Sequence, residues 1–238
     1  MQRYRIVHIA LSLACLPPSV AGAQALNCRI PATISSPKAE TGKTDERRVS
    51  EVVGYTLALS WSPEYCFDHK RDQAAQSQCN GQAGKFGFIL HGLWPEGATA
   101  AYPQWCKPAQ ILPEALIKKQ LCVTPSPQLI QHEWAKHGVC ASNDPARYLG
   151  LAAALYGAIR FPDMEQLSRT RLTSAGFAAA FTRANPGITQ AMLRIEADDK
   201  GWLKGVRLCL DTAYHTRACP AFAKGANSGQ KLRIARIS

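Results

Sequence analysis

Val52–Trp61 reads VVGYTLALSW, a nearly unbroken apolar run rich in β-branched and aromatic residues, and Ser62-Pro63 closes it. Such a run reads as a buried strand. Lys85–Leu90 (KFGFIL) is a second short apolar run and a second predicted strand. Between them Asp68–Gly84 is polar and loop-like, with Cys66 and Cys79 at its edges. Trp94–Gln110 is rich in proline, glycine and aromatics and reads as an irregular excursion.

Beyond it the pattern turns helical. Pro127–Gly138 is predicted as a helix that stops at Gly138. Asp144 is placed to cap a helix with Pro145 in its first position, running to about Ile159. Asp163–Ser168 and Ser174–Ala184 are predicted as two more, the second ended by Asn185-Pro186-Gly187. Met192–Ala197 and Gly205–Leu210 alternate as strands do, and the basic stretch from Arg217 ends in a last candidate strand, KLRIARI. Strands at both ends with helices between them predict an α+β fold, a central, mainly antiparallel sheet with helices packed on it.

The chain opens as an export substrate. Arg3 and Arg5 precede a mostly apolar stretch, Ile6–Pro17, too short to span a bilayer as a helix, and Ala21-Gly22-Ala23 is a small-x-small cleavage site. Residues 1–23 therefore read as a signal peptide. A lipid anchor at Ser12-Leu13-Ala14-Cys15 is the competing reading, disfavoured by its early position and the better site that follows. Residues 24–50 are polar and weakly periodic and read as a poorly ordered N-terminal arm, leaving 51–238 as a single catalytic domain. No later stretch is long and apolar enough to cross a membrane. These features predict a periplasmic or extracellular protein.

Loss of Cys15 with the leader leaves Cys28, Cys66, Cys79, Cys106, Cys122, Cys140, Cys209 and Cys219. An even count in an exported chain predicts a disulfide-stapled fold whose pairing the count leaves open. No Cys-x-x-Cys is present, which weighs against structural zinc. Loss of Arg3 and Arg5 lowers the net charge from +11 to +9. Such a field favours polyanions, nucleic acid or anionic surfaces, although solubility alone could account for it.

Two segments carry chemistry. In Gln131–Cys140 (QHEWAKHGVC), α-helical geometry would set Glu133, Lys136, His137 and Cys140 in one stripe with His132 on its flank, and would turn Trp134 elsewhere. His132 and His137 are five apart, about 140° round an α-helix, so they do not form the two-histidine face of a zinc protease. In Phe86–Glu96 (FGFILHGLWPE), His91 follows an apolar strand and reads as a residue at a strand end, with Trp94 beside it to stack or to wall a site. Histidines suit both proton transfers of RNA cleavage by its own 2′-hydroxyl, and Lys136 suits the charge of the phosphorane. The substrate supplies the nucleophile, so no reactive Ser or Cys is needed. His69 and His215 lack such a context and read as ordinary structural or surface residues.

Phe88–Pro95 (FILHGLWP) and His132–Cys140 (HEWAKHGVC), with Trp61-Ser62-Pro63 and Cys66 upstream, resemble the two signatures of the ribonuclease T2 family. The resemblance extends from about Val52 towards the C-terminus, weakly beyond Pro145. It implies an α+β fold and metal- and cofactor-free endonucleolytic cleavage of single-stranded RNA with low base specificity, through 2′,3′-cyclic phosphates to 3′-phosphates. It implies His137 as base, His91 as acid, His132 as phosphate holder, Glu133 and Lys136 as transition-state stabilisers and Trp94 as a wall of the substrate site. It also implies the disulfides Cys106–Cys140 and Cys209–Cys219; proximity then suggests Cys66–Cys79, and Cys28–Cys122 is what remains. Members often carry glutamine before the early tryptophan, where this chain has Ser60 before Trp61, and Asp68–Gly84 does not align securely, so base preference stays open.

Two other classes compete with a monomeric RNA-cleaving enzyme. A catalytically silent nucleic-acid or cell-surface binding protein on the same fold would not need His91, His132, Glu133, Lys136 and His137 intact. A metal-dependent nuclease would need clustered carboxylates, which the sequence lacks.

Overall fold

The computed structural model describes residues 25–237, so the leader read at 1–23 lies outside the described residues. Its centre is a four-stranded antiparallel sheet built from β1 (Gly54–Trp61), β2 (Phe88–Glu96), β4 (Leu193–Ala197) and β5 (Leu203–Leu210), in the order β2-β1-β5-β4. A small second sheet pairs β3 (Leu172–Thr173) with β6 (Lys231–Leu232), so only the start of KLRIARI is strand. The helices are α1 (Ser62–His69), α2 (Gln76–Cys79), α3 (Glu114–Gln120), α4 (Pro127–Glu133), α5 (Val139–Ala141), α6 (Pro145–Gly157), α7 (Met164–Ser168) and α8 (Ser174–Ala184). This is the disulfide-stapled α+β architecture expected from the sequence.

Alternation divides the sheet. Tyr55, Leu57, Leu59 and Trp61 of β1, Leu90 and Leu93 of β2 and Val206, Leu208 and Leu210 of β5 are buried in the core, where α6 and α8 pack. Phe88, Phe161, Phe177 and Phe181 form its aromatic centre. Each fully buried Leu or Phe contributes about 1.5–3 kcal/mol. Two tyrosines of α6 tie that layer to the sheet: Tyr148 Oη donates to the Leu93 carbonyl and Tyr156 Oη to that of Phe88, each at 2.7 Å. The opposite face carries Thr56, Ser60, His91, Trp94, Glu96 and Arg207, and the site is built there.

Three local readings change. First, β2 does not end before His91 but runs on to Glu96, in register with β1 as far as Gly54↔Glu96. The irregular excursion starts after Glu96. Pro95 is tolerated because β2 is an edge strand, whose outer side needs no ladder donor. Second, Ser62-Pro63 ends β1 but also opens α1, with Pro63 in the first turn, where its missing N–H costs nothing. Third, the helix predicted to stop at Gly138 continues: α4 passes into a π-helical turn, Trp134–Gly138, before α5.

Disulfides join Cys28–Cys122, Cys66–Cys79, Cys106–Cys140 and Cys209–Cys219. Each contributes about 2–4 kcal/mol. Cys106–Cys140 fixes the end of the histidine-bearing helix to the loop after β2. Residues 25–50 hold little regular structure, yet Cys28–Cys122 fastens one end and backbone pairing of Arg48 with Gln104 the other. The Cys28–Cys122 pairing left over in the sequence reading placed one end of this segment; its pairing at Arg48 with Gln104 had no sequence signal.

Candidate active site

The register of β1 against β2 shifts between Ala58 and Leu59: Ala58 faces Gly92 and Leu59 faces Leu90, leaving His91 as the extra residue of a β-bulge. A bulge bends its strand and re-aims the unpaired side chain. Leu90 stays in the core while His91 turns to the polar face. The outer edge is covered there, because Leu90 N–H donates to the Val123 carbonyl and Thr124 Oγ1 to that of Leu90.

The second segment reaches the same face through the π-helical turn. Val139 N–H bonds the carbonyl of Trp134, five residues back. A π turn brings residues five apart towards one another, so the separation of about 140° that an α-helix would impose on His132 and His137 does not hold. Both line one cavity of about 530 Å³, together with His91, Trp94, Glu133 and Lys136. Trp134 packs into the core against Tyr148.

Trp94 sits among these groups. Its Nε1 donates to Glu133 Oε2 at 2.7 Å. Its ring stacks on His137 at 5.4 Å and meets His91 edge-on at 5.3 Å. The Arg207 guanidinium lies 5.0 Å from the same ring. Gly92 makes the arrangement possible: a Cβ there would stand 1.8 Å from Glu133 Oε2. His91 is held between Ser60, whose Oγ is 2.9 Å from Nδ1, and Glu133, whose Oε1 is 3.4 Å from Nε2. The serine that departs from the family's usual glutamine thus faces a site histidine. His137 is buried, between the rings of Trp94 and Tyr102, and its Nδ1 has no protein partner among the described residues.

Burial and like charge set the protonation of the cavity. Desolvation, reinforced by His132, Arg207 and Lys136, pushes His91 down to about 4. Desolvation, with Lys136, His132 and His91, holds His137 still further below its ordinary value. Glu133 moves the other way. Its burial raises it to about 8, against the lowering effect of the Trp94 hydrogen bond and Lys136. Without substrate, the cavity keeps both imidazoles neutral and discourages a free carboxylate, while Lys136 and Arg207 leave it cationic. An entering phosphate would supply the charge that lets a histidine take a proton.

Among the described residues, no group of three or more His, Cys, Asp or Glu side chains is arranged to hold a metal ion. His69 stacks on Tyr65, and His215 is largely exposed beside Asp211. Neither lines the cavity.

Several cavity groups were not foreseen. Arg207 projects from β5 and pairs with Glu196. Its position opposite Val206 and Leu208 in an alternating strand was the available signal. Tyr102 lies against His137, capped by Arg48. Arg194 donates to the carbonyls of Ala223 and Leu193 and so fixes the wall carrying Phe222 and Lys224.

The model of the ribonuclease T2 family matches residues 53–164. A "probable ribonuclease" of Haemophilus influenzae is 33% identical over 179 residues, covering 69% of this chain and 60% of that protein. A ribonuclease of Aeromonas hydrophila is 39% identical over 101 residues, covering 42% of this chain and 43% of its own length. The chain thus spans less than two thirds of these curated relatives. Among solved structures, an RNase-related protein from Calystegia sepium aligns at 21% identity with a TM-score of 0.62, covering 79% of this chain and 100% of that one. RNase NT in complex with 5′-AMP aligns at 22% identity with a TM-score of 0.57, covering 78% and 98%. At such identities the likeness is one of fold. Both signature segments, and the histidines that meet in the cavity, fall inside residues 53–164, the segment of this chain that matches the ribonuclease T2 family.

Proposed function

We propose that this chain is an exported, monomeric endoribonuclease that cleaves single-stranded RNA with low base specificity, without a metal or cofactor. The observation that carries this reading is the meeting of His91, His132, Glu133, Lys136 and His137 around Trp94 in one cationic cavity. One chain supplies all these groups. Its disulfides suit an oxidising compartment, and among the described residues no helix is long and apolar enough to cross a membrane.

His137 takes the 2′-OH proton, and the 2′-oxygen attacks phosphorus. The P–O5′ bond breaks, and His91 gives its proton to the departing 5′-oxygen, leaving a 2′,3′-cyclic phosphate. In the second step the roles reverse. His91 takes a proton from water, the water oxygen attacks phosphorus, the P–O2′ bond breaks, and His137 returns its proton to the 2′-oxygen. A 3′-phosphate results. His137, held lower than His91, is the better candidate for the neutral base. His132 holds the phosphate, Lys136 and Glu133 face the charge of the phosphorane, and Trp94 walls the substrate site. A catalytically silent binding protein would have no need of this acid–base set in one place.

The test is an assay of the oxidised protein on single-stranded RNA in excess EDTA, with identification of the product ends. Cyclic phosphates followed by 3′-phosphates are expected. Products with 5′-phosphates, loss of cleavage in EDTA, or cleavage of a substrate with 2′-deoxyribose at the scissile position would overturn the reading.

A further inference from the structure

The N-terminal arm enters the site. Glu40 Oε2 lies 2.5 Å from His132 Nδ1, and Glu40 Oε1 accepts from Gln128 Nε2. Gln128 stands one helical turn before His132, on the same face. Its amide also clamps the arm's backbone, accepting from Lys38 N–H at 2.8 Å and donating to the Lys38 carbonyl at 3.2 Å. Two residues past Glu40 the chain crosses the Trp105 ring so closely that a Cβ on Gly42 would stand 2.3 Å from Trp105 Cγ. Trp105 is itself held at a positive φ of 54°, rare for an aromatic residue, with its N–H on the Lys136 carbonyl at 2.8 Å and its ring edge-on to His132 at 5.6 Å. Arm, tryptophan and helix therefore fix one another around the His132 ring. Glu40 lies outside the residues matched by the family model, which begin at 53.

We propose that Glu40 is a positioning residue of the active site: its carboxylate holds Nδ1 of His132 and presents Nε2 to the substrate phosphate. The inference rests on the reading of His132 as the phosphate holder. The partner of one imidazole nitrogen decides the orientation of the ring and what the other nitrogen offers. With both nitrogens protonated, Nδ1 donates to Glu40 and Nε2 donates to a phosphate oxygen. A carboxylate that orients a functional histidine in this way acts only through it.

The experiment uses the full oxidised chain and the variants Glu40→Ala, Glu40→Gln and Gln128→Ala. Glu40→Ala is expected to raise KM for single-stranded RNA about tenfold, the scale of one charge-assisted hydrogen bond, with a much smaller change in kcat. Glu40→Gln, which keeps an acceptor without the charge, and Gln128→Ala, which loosens the arm and removes the donor to Glu40 Oε1 while leaving the carboxylate, should lie between. The imidazole 15N resonances of His132 should shift in Glu40→Ala while those of His91 and His137 stay, and the affinity of that ring for inorganic phosphate should fall. An unchanged KM with unmoved His132 resonances overturns the proposal. So does a lower KM, which would mean that Glu40 competes with phosphate. Failure of the wild-type chain to cleave RNA would refute the enzymatic reading, yet the resonances and phosphate titration would still decide Glu40's role.

Discussion

Trp94 Nε1 donates to Glu133 Oε2 across 2.7 Å, a bond between an edge strand and a helix that are 39 residues apart in sequence. It joins the two signature segments, and the remaining cavity groups are arranged around it. Trp94→Phe keeps most of the ring but removes the donor. With Glu133 protonated this is a bond between neutral groups, worth about 0.5–1.5 kcal/mol, so denaturant melts near neutral pH should show a loss of that order. That bond lowers Glu133, so Glu133 should rise above about 8 in the variant. An unchanged melt together with full activity would mean that the contact does not organise the site.

Gly92 allows that contact. A methyl group there would fall 1.8 Å from Glu133 Oε2 and 2.9 Å from Trp94 Nε1. Either the carboxylate or the strand must move. Gly92→Ala should cost about 1–3 kcal/mol of stability and about a hundredfold in kcat/KM, since small misplacements at a reacting centre are costly. Wild-type kcat/KM in this variant would rule out the close packing.

His91→Ala and His137→Ala should each reduce kcat by about 10²–10⁴-fold with thermal melts close to wild type. His91 ends at a bulge with its ring at the cavity, and His137 already leaves one ring nitrogen without a protein partner. A large loss of stability with little loss of activity would make them structural residues.

The pH profile follows from the same cations. In the free protein His91 holds a proton only below about 4, so kcat/KM should fall as pH rises through that value. Bound phosphate is an anion and raises His91, so the alkaline limb of kcat should lie at higher pH than that of kcat/KM. Arg207 is among the groups that lower His91, so Arg207→Gln should move the kcat/KM limb upward. A limb that stays or moves down would remove His91 as the titrating acid.

The strands, helix caps and signature residues were legible because each depends on near neighbours. Asp144 accepts from the N–H groups of Ala146 and Arg147, just ahead of Pro145, as its sequence predicts. The bulge at His91 was not legible, since it exists only in register with β1. The π-helical turn was equally hidden: Trp134–Gly138 satisfies a helical pattern whether its bonds close after four residues or five. Glu40 gave no signal at all, because its partner His132 lies 92 residues away and the arm around it lacks periodicity. Contacts that fix the aim of a side chain are made between elements, and periodicity within one element carries no information on them.

Glu133 sets a stability slope of its own. Its folded value of about 8 exceeds its ordinary 4.5, so between these values the folded chain holds a proton that the unfolded chain lacks. Stability from this group is full below about 4.5 and is lost as pH rises through about 8. His91 and His137 act with the opposite sign, but only below their ordinary value of 6.5. Above that pH the decline from Glu133 remains. Glu133→Gln keeps an acceptor for Trp94 and cannot ionise. Melting temperatures taken from pH 6.5 to 8.5 should fall for the wild type and stay nearly level for the variant, which becomes the more stable protein at the alkaline end while losing most of its kcat. Each kcal/mol of difference corresponds to about 2–4 °C in a domain of this size. Parallel slopes in the two proteins would mean that Glu133 is ionised throughout, and the protonation of the cavity would have to be assigned anew.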